Sequence, residues 1–166
     1  MFWLLPLAHA ASAHEVPADA GVINVRAAPY NAAGNGLADD TAAINAALNA
    51  ARVSNTAGKI VYLPAGIYRV TDTLAFPEPR ITLMGASRET TIIRLADNTA
   101  AFGNTGTPRN VVSTREASGF SANQFRVYVN DLTIDTGVGN PGAIGLKLHQ
   151  NNSGGAHNLT IRSGDP

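Results

Sequence analysis

Three charged side chains stand where a reaction could be run. Asp131 and Asp135 flank Leu132-Thr133-Ile134, and Arg162 falls at the position matching Asp135 in a near-copy of that phrase further along the chain. Alternate residues of a strand share a face, so Asp131, Thr133 and Asp135 should project together. Two carboxylates and an arginine are parts of a site that cuts or modifies a sugar chain. One carboxyl can give a proton while the other takes one or attacks, and a guanidinium can hold an acidic group through two parallel hydrogen bonds. With Ca²⁺ added, the same three could supply part of an elimination site for a uronate. The spacing argues against a ready acid–base pair. Asp131 and Asp135 are separated by roughly 13 Å of strand, whereas the carboxyls of inverting glycosidases lie about 6.5–9.5 Å apart and those of retaining ones about 5–5.5 Å. Without a third group the simpler arrangement is structural: Asp131 laddered with Asn158, and Asp135 paired with Arg162.

The other chemistry-bearing residues point less far. His149 and His157 are near one another in sequence, but no Asp or Glu gathers with them as a metal site requires. Asp165 follows Gly164 and reads as a turn aspartate. Tyr62, Tyr68, Phe102, Phe120, Phe125 and Tyr128 have faces that can stack on sugar rings, but core or edge packing accounts for most of them. Gly34-Asn35-Gly36 lacks the Lys-Ser/Thr sequel of a phosphate loop. The chain has no cysteine, so disulfides and thiolate metal sites are excluded. No cofactor is identifiable from these residues.

The elements that must position Asp131, Asp135 and Arg162 follow from the repeat itself. Asn130-Asp131-Leu132-Thr133-Ile134-Asp135 returns as His157-Asn158-Leu159-Thr160-Ile161-Arg162. Two near-copies of a strand at a short fixed period indicate stacked coils. Direct stacking puts Leu132 over Leu159 and Ile134 over Ile161 inside, with Thr133 beside Thr160, Asp131 beside Asn158 and Asp135 beside Arg162 outside. Further strands are expected at 22–26, 59–63, 67–70, 80–84, 91–95, 111–113, 125–135, 143–148 and 158–162, and the interval from Val61 to Ile81 suggests the length of one coil. Turns are expected at 29–36, 136–142 and 151–155, and a protruding loop at 97–110. Between the first strands lies an Ala-rich stretch, 42–52, of high helix propensity. Asp40 or Thr41 is placed to cap it, and Ile44, Ala47, Leu48 and Ala51 form its apolar face. One helix ahead of many strands is suited to covering the open first coil. The fold class expected is all-β: a right-handed parallel β-helix with an N-terminal capping helix.

The totals agree. The chain has 166 residues, zero formal net charge and only 14% charged residues. Arginines are scattered singly, so no basic stripe marks a nucleic-acid partner. Residues 1–13 read as an export signal, with an apolar run at 2–7 and the small-x-small pattern Ala11-Ser12-Ala13, although a basic residue after Met1 is missing. That run is too short to span a bilayer. The expectation is a secreted or extracytoplasmic protein without a membrane span, with residues 14–166 forming one β-helix domain. The final strand is followed only by a turn, 163–166, so the reading includes a β-helix truncated at its C-terminal side.

A known family shares this order of motifs. Ile23-Asn24-Val25-Arg26, Gly34-Asn35-Gly36, Asp39-Asp40-Thr41-Ala42-Ala43-Ile44 and Lys59-Ile60-Val61-Tyr62-Leu63-Pro64-Ala65-Gly66-Ile67-Tyr68 resemble the opening of the pectate lyase superfamily, and within it the rhamnogalacturonase/epimerase-like segment. Asn31 and Asn35 replace the usual Gly and Asp of the opening turn. The resemblance implies a β-helix that acts on polysaccharide by hydrolysis or β-elimination, or a viral tailspike or surface protein that binds glycans without turnover. The Asn-Thr-Asp, Gly-His-Gly and Arg-Ile-Lys signatures of related polygalacturonases are absent, and Asp39-Asp40 lies at a helix start rather than on a catalytic coil. Catalytic groups are accordingly expected beyond Pro166.

Overall fold

The computed structural model describes residues 21–52, 59–114 and 124–165. Over these the chain winds as a right-handed parallel β-helix. The first coil holds β1 (Val22–Asn24), β2 (Asn35–Asp39) and helix α1 (Thr41–Ala50). The second holds β3 (Lys59–Leu63), β4 (Gly66–Val70) and β5 (Leu74–Ala75). The third holds β6 (Ile81–Gly85), β7 (Thr91–Leu95), a 3-10 turn (Ala100–Phe102) and β8 (Arg109–Ser113). β9 (Val127–Asp135) and β10 (Ala143–Lys147) make the fourth, and β11 (Gly154–Arg162) opens a fifth. Every pairing among the described strands is parallel.

The strands stack into three sides. β1, β3, β6 and the first half of β9 form side one; β2, β4, β7 and the second half of β9 form side two; β5, β8 and β10 form side three. β11 extends sides one and two through its pairing with β9. Inside, residues stack in columns: Val61 on Leu83 on Val129, and Tyr68 on Ile93 on Ile134, all fully buried. Burying each aliphatic side chain contributes about 1.5–3 kcal/mol. Val61 aligns with Leu83 rather than with Ile81, so this coil is slightly longer than the sequence interval suggested.

The run at 125–135 is not one straight strand. Val127, Val129, Leu132 and Ile134 are all buried, so the inward phase slips between Val129 and Leu132. The slip is a corner at Asp131, with φ 56°, and Asn158 repeats it in β11 with φ 48°. Asp and Asn tolerate this left-handed conformation better than other side chains. Gly85 is required beside it, because a Cβ there would collide with the carbonyl oxygen of Asp131.

Residues 35–39, expected to be turn and helix approach, instead form β2 alongside β4. The 97–110 segment is anchored, since Phe102 is fully buried beneath the Arg109 guanidinium, 5.2 Å from its ring centroid. Helix α1 buries Ile44, Ala47 and Leu48, with Ala51 just beyond its end, as the apolar spacing predicts. It follows β2 where a first strand of side three would lie. Its Asn45 completes the edge of β5: Nδ2 donates to the Thr73 carbonyl (3.0 Å) and Oδ1 accepts from Ala75 N–H (3.1 Å). One side chain thus takes the place of a strand.

The expected helix cap is not made. Asp40 occupies the N-cap position without a side-chain cap bond. Its buried carboxylate turns back and accepts from Ala33 N–H (2.6 Å) and Gly34 N–H (2.9 Å). Asp39 accepts from the Thr41 amide and hydroxyl and from the Thr71 hydroxyl. Burial alone would raise the Asp39 carboxyl, but these hydrogen bonds and the Arg69 charge hold it below its ordinary 3.8.

Replacing Asn45 with Ala is expected to cost about 1–3 kcal/mol by leaving the β5 edge unpaired, read as a drop in urea midpoint and a fall of roughly 2–4 °C per kcal/mol in Tm. For Asp39 the folded pKa lies below the unfolded one, so its contribution is present above about pH 3.8 and is lost as pH falls through the depressed value. The gap in urea midpoint between wild type and Asp39→Asn should therefore be widest near neutral pH and close on acidification below pH 3.8.

Candidate functional site

The register places the repeat as expected. Leu132 lies over Leu159, Thr133 over Thr160, Ile134 over Ile161 and Asp135 over Arg162. At the corner Asn158 Nδ2 donates to Asp131 Oδ1 at 2.7 Å. At the end of the rung Arg162 Nε donates to Asp135 Oδ2 at 3.0 Å, and the other Asp135 oxygen accepts from Gly137 N–H at 2.9 Å. Asp131 and Asp135 are thus brought to the same rung but given different structural work. Asp131 sits at the junction of sides one and two, and Asp135 at the far end of side two. Both carboxylates are engaged, and neither faces the other as an acid–base pair.

Asp165 does more than an ordinary turn aspartate. Its oxygens accept from Gly139 N–H (2.7 Å) and Asn140 N–H (2.6 Å) of the preceding coil. Asn140 is buried and fully used, donating to the Ala96 and Thr136 carbonyls and accepting from Thr99 N–H. His157 stands near Tyr128, ring centroids 6.1 Å apart, while His149 donates its backbone N–H to the Thr114 hydroxyl on side three. Among the described residues no three His, Cys, Asp or Glu side chains converge on a metal position. Tyr68 and Phe102 are core residues, and burial pushes the Tyr68 phenol up to about 12 beneath the Arg26 guanidinium. Tyr128 and Phe125 are half-buried, and Phe120 lies outside the described residues, as does the apolar stretch at 2–7.

The register also assembles something that residue spacing does not show. Along side two the strand pairings align Asp39 with Arg69, Arg69 with Arg94, Arg94 with Asp135, and Asp135 with Arg162. Neighbouring strands lie roughly 4.8 Å apart, so these five form a continuous charged row parallel to the helix axis. Arg69 and Arg94 lie in successive coils, distant in sequence, and only the coil length brings them together. Arg94 reaches Asp97 at 3.2 Å. The Asp97 carboxyl is held below the usual range by Val138 N–H and then by Arg94. Such a row is built to hold a ligand that carries charge along its length, with no proton-transfer group free at its centre.

Comparison with known proteins fits this geometry. The family model described as rhamnogalacturonase A/epimerase, pectate lyase-like matches residues 22–165. Mannuronan C5-epimerase AlgE1 of Azotobacter vinelandii is 35% identical over 113 residues, which cover 64% of this chain and 7% of the relative. Among solved structures, ORF18 of Geobacillus virus E2 superposes with TM-score 0.64 at 27% identity, covering 84% of this chain and 25% of that one. The A-module of mannuronan C-5 epimerase AlgE6 from A. vinelandii superposes with TM-score 0.59 at 23% identity, covering 85% and 38%. The chain therefore spans a small part of the relatives it matches, and the AlgE6 likeness speaks to the fold alone.

The role given to Asp131 separates corner chemistry from catalysis. Asp131→Asn should keep both the left-handed corner and the ladder, changing stability by less than about 0.5 kcal/mol. Asp131→Val should cost about 2 kcal/mol or more, because a β-branched residue is strained at this φ and the ladder bond is lost. Urea denaturation of the two variants checks this.

Proposed function

We propose, because the chain belongs to the rhamnogalacturonase A/epimerase, pectate lyase-like family, that it forms coils of an exported β-helix protein acting on an acidic, uronate-containing polysaccharide. The observation that carries the reading is the 35% identity to a mannuronan C5-epimerase, a protein named for action on a polyuronate. The charged row on side two supports it, since guanidinium groups suit carboxylates.

The reaction of the whole protein is epimerisation, elimination or hydrolysis, and the curated relatives favour the first. Epimerisation and elimination at a uronate begin alike, by removing the proton beside the carboxylate, and neutralising that carboxylate lowers the barrier. On this reading the described coils bind polymer, while the proton-transfer groups belong to other coils. Asp131, Asp135 and Arg162 then serve as scaffold. Ca²⁺ would enter only with an eliminating site, and the described residues offer no cluster for it. A second reading, a glycan-binding β-helix without turnover, is favoured by the likeness to a viral protein.

The purified chain should bind polymannuronate or polygalacturonate in calorimetric titration, should bind a neutral glucan much more weakly, and should leave the polymer's NMR spectrum unchanged on long incubation. Absence of uronate binding would overturn the proposal. Epimerisation or cleavage by this chain alone would overturn the assignment of Asp131, Asp135 and Arg162 to scaffold.

A further inference from the structure

The charged row contains one arrangement that costs energy as it stands. Like charges opposite one another on neighbouring strands are unfavourable, yet Arg69 and Arg94 are register partners. Arg94 offsets this through Asp97. Arg69 does not. Its partner on the other side, Asp39, is occupied by Thr41 and Thr71 and makes no ion pair with it. Half-buried, the Arg69 guanidinium makes no hydrogen bond or ion pair among the described residues.

These two arginines line a cleft of ≈390 Å³ with Asn35, Gly36, Ile67, Ala96 and Asp97, a volume within the range of about 300–1,000 Å³ common to ligand sites. Gly36 and Ala96 keep the lining low. Gly36 has φ +77°, and a side chain there would be both strained and pressed toward Ile67. Ile67 is 41% exposed and offers an apolar wall beside the cations. Asn35 Oδ1 is taken by the amides of Leu37 and Ala38, which leaves its Nδ2 as a donor. Cationic donors, a neutral donor and an apolar wall together match a sugar ring carrying a carboxylate: the guanidinium groups take the carboxylate, Ile67 takes the C–H face of the ring, and Asn35 takes a hydroxyl.

We infer that the cleft on side two is a uronate subsite in which the sugar carboxylate lies between Arg69 and Arg94. The inference rests on the acidic-polysaccharide reading and adds the face, the residues and the anchor. It puts the polymer along the row from Asp39 to Arg162 rather than over side one or side three.

The test is titration of the full chain with mannuronate and galacturonate oligomers, a neutral glucan and a sulfated glucan. Arg69→Ala and Arg94→Ala should each weaken uronate binding by about tenfold or more, as expected for losing a charge-assisted hydrogen-bonded contact. Arg69→Lys should fall between, because a lysine keeps the charge but not the fork. Lys147→Ala, on side three, should change binding by less than about twofold if only long-range charge is altered. In the wild type, the Arg69 Nε–H resonance should shift on adding uronate oligomers, a readout independent of whether a variant folds. If the wild type binds uronate but the Arg69 and Arg94 variants bind equally well, or the resonance stays fixed, the subsite is wrong while the function proposal stands. If Lys147→Ala loses as much as Arg69→Ala, the polymer lies elsewhere and the subsite is again wrong. Tighter binding of the sulfated glucan would overturn the carboxylate assignment. No uronate binding by the wild type would remove both.

Discussion

Parallel in-register stacking is the constraint from which the rest of this molecule follows. When each rung lies directly over the last, every side chain meets its counterpart about 4.8 Å away. Apolar residues gain from this, and the interior columns of Val61, Leu83 and Val129 are the result. Polar residues can gain where donors meet acceptors, as Asn158 meets Asp131 and Arg162 meets Asp135. Thr133 sits over Thr160 in the same register, and its hydroxyl is satisfied separately by the Arg88 carbonyl. Charges of one sign lose, which makes Arg69 over Arg94 the exception that calls for a ligand rather than for packing.

The same constraint explains why side chains replace backbone at irregular places. Where a coil departs from strand geometry, its amides lose their ladder partners, and buried backbone groups must be paired. Asp40 takes two consecutive amides at Ala33 and Gly34, and Asp165 takes two at Gly139 and Asn140. Asn45 does the complementary work at β5, serving both a carbonyl and an amide. Rung β11 shows the value of a neighbour above. Ile134 is fully buried, whereas Ile161, its register partner, is 51% exposed.

The repeat at Leu132 and Leu159 was enough to predict parallel stacking and each cross-rung pair, because like-on-like contacts leave a direct imprint on residue types. The corner at Asp131 was also written in the chain. Counting inward residues through Val127, Val129, Leu132 and Ile134 shows the change of phase, but treating 125–135 as one strand hides it. Other features were beyond local reading. Asn35-Gly36-Leu37-Ala38-Asp39 carries turn residues and becomes β2 only because β4 pairs with it. Asp40 looks like a helix cap, and the three-dimensional nearness of Ala33 and Gly34 overrides that local use. Arg69 and Arg94 are invisible as a pair until the coil length is known.

Zero net charge excludes less than it first suggests. A nucleic acid presents phosphates at every step, and affinity for it grows with the number of cations that displace counterions. Side two cannot meet that demand, because Asp39 and Asp135 interrupt the row and would repel a dense polyanion. A polyuronate is a different target. It carries one carboxylate per sugar and presents hydroxyls and C–H faces between them. Two arginines at one rung step, flanked by carboxylates and an apolar wall, suit that sparser pattern. Local like-charge juxtaposition, rather than the sum over the chain, therefore decides which polyanion this surface can hold.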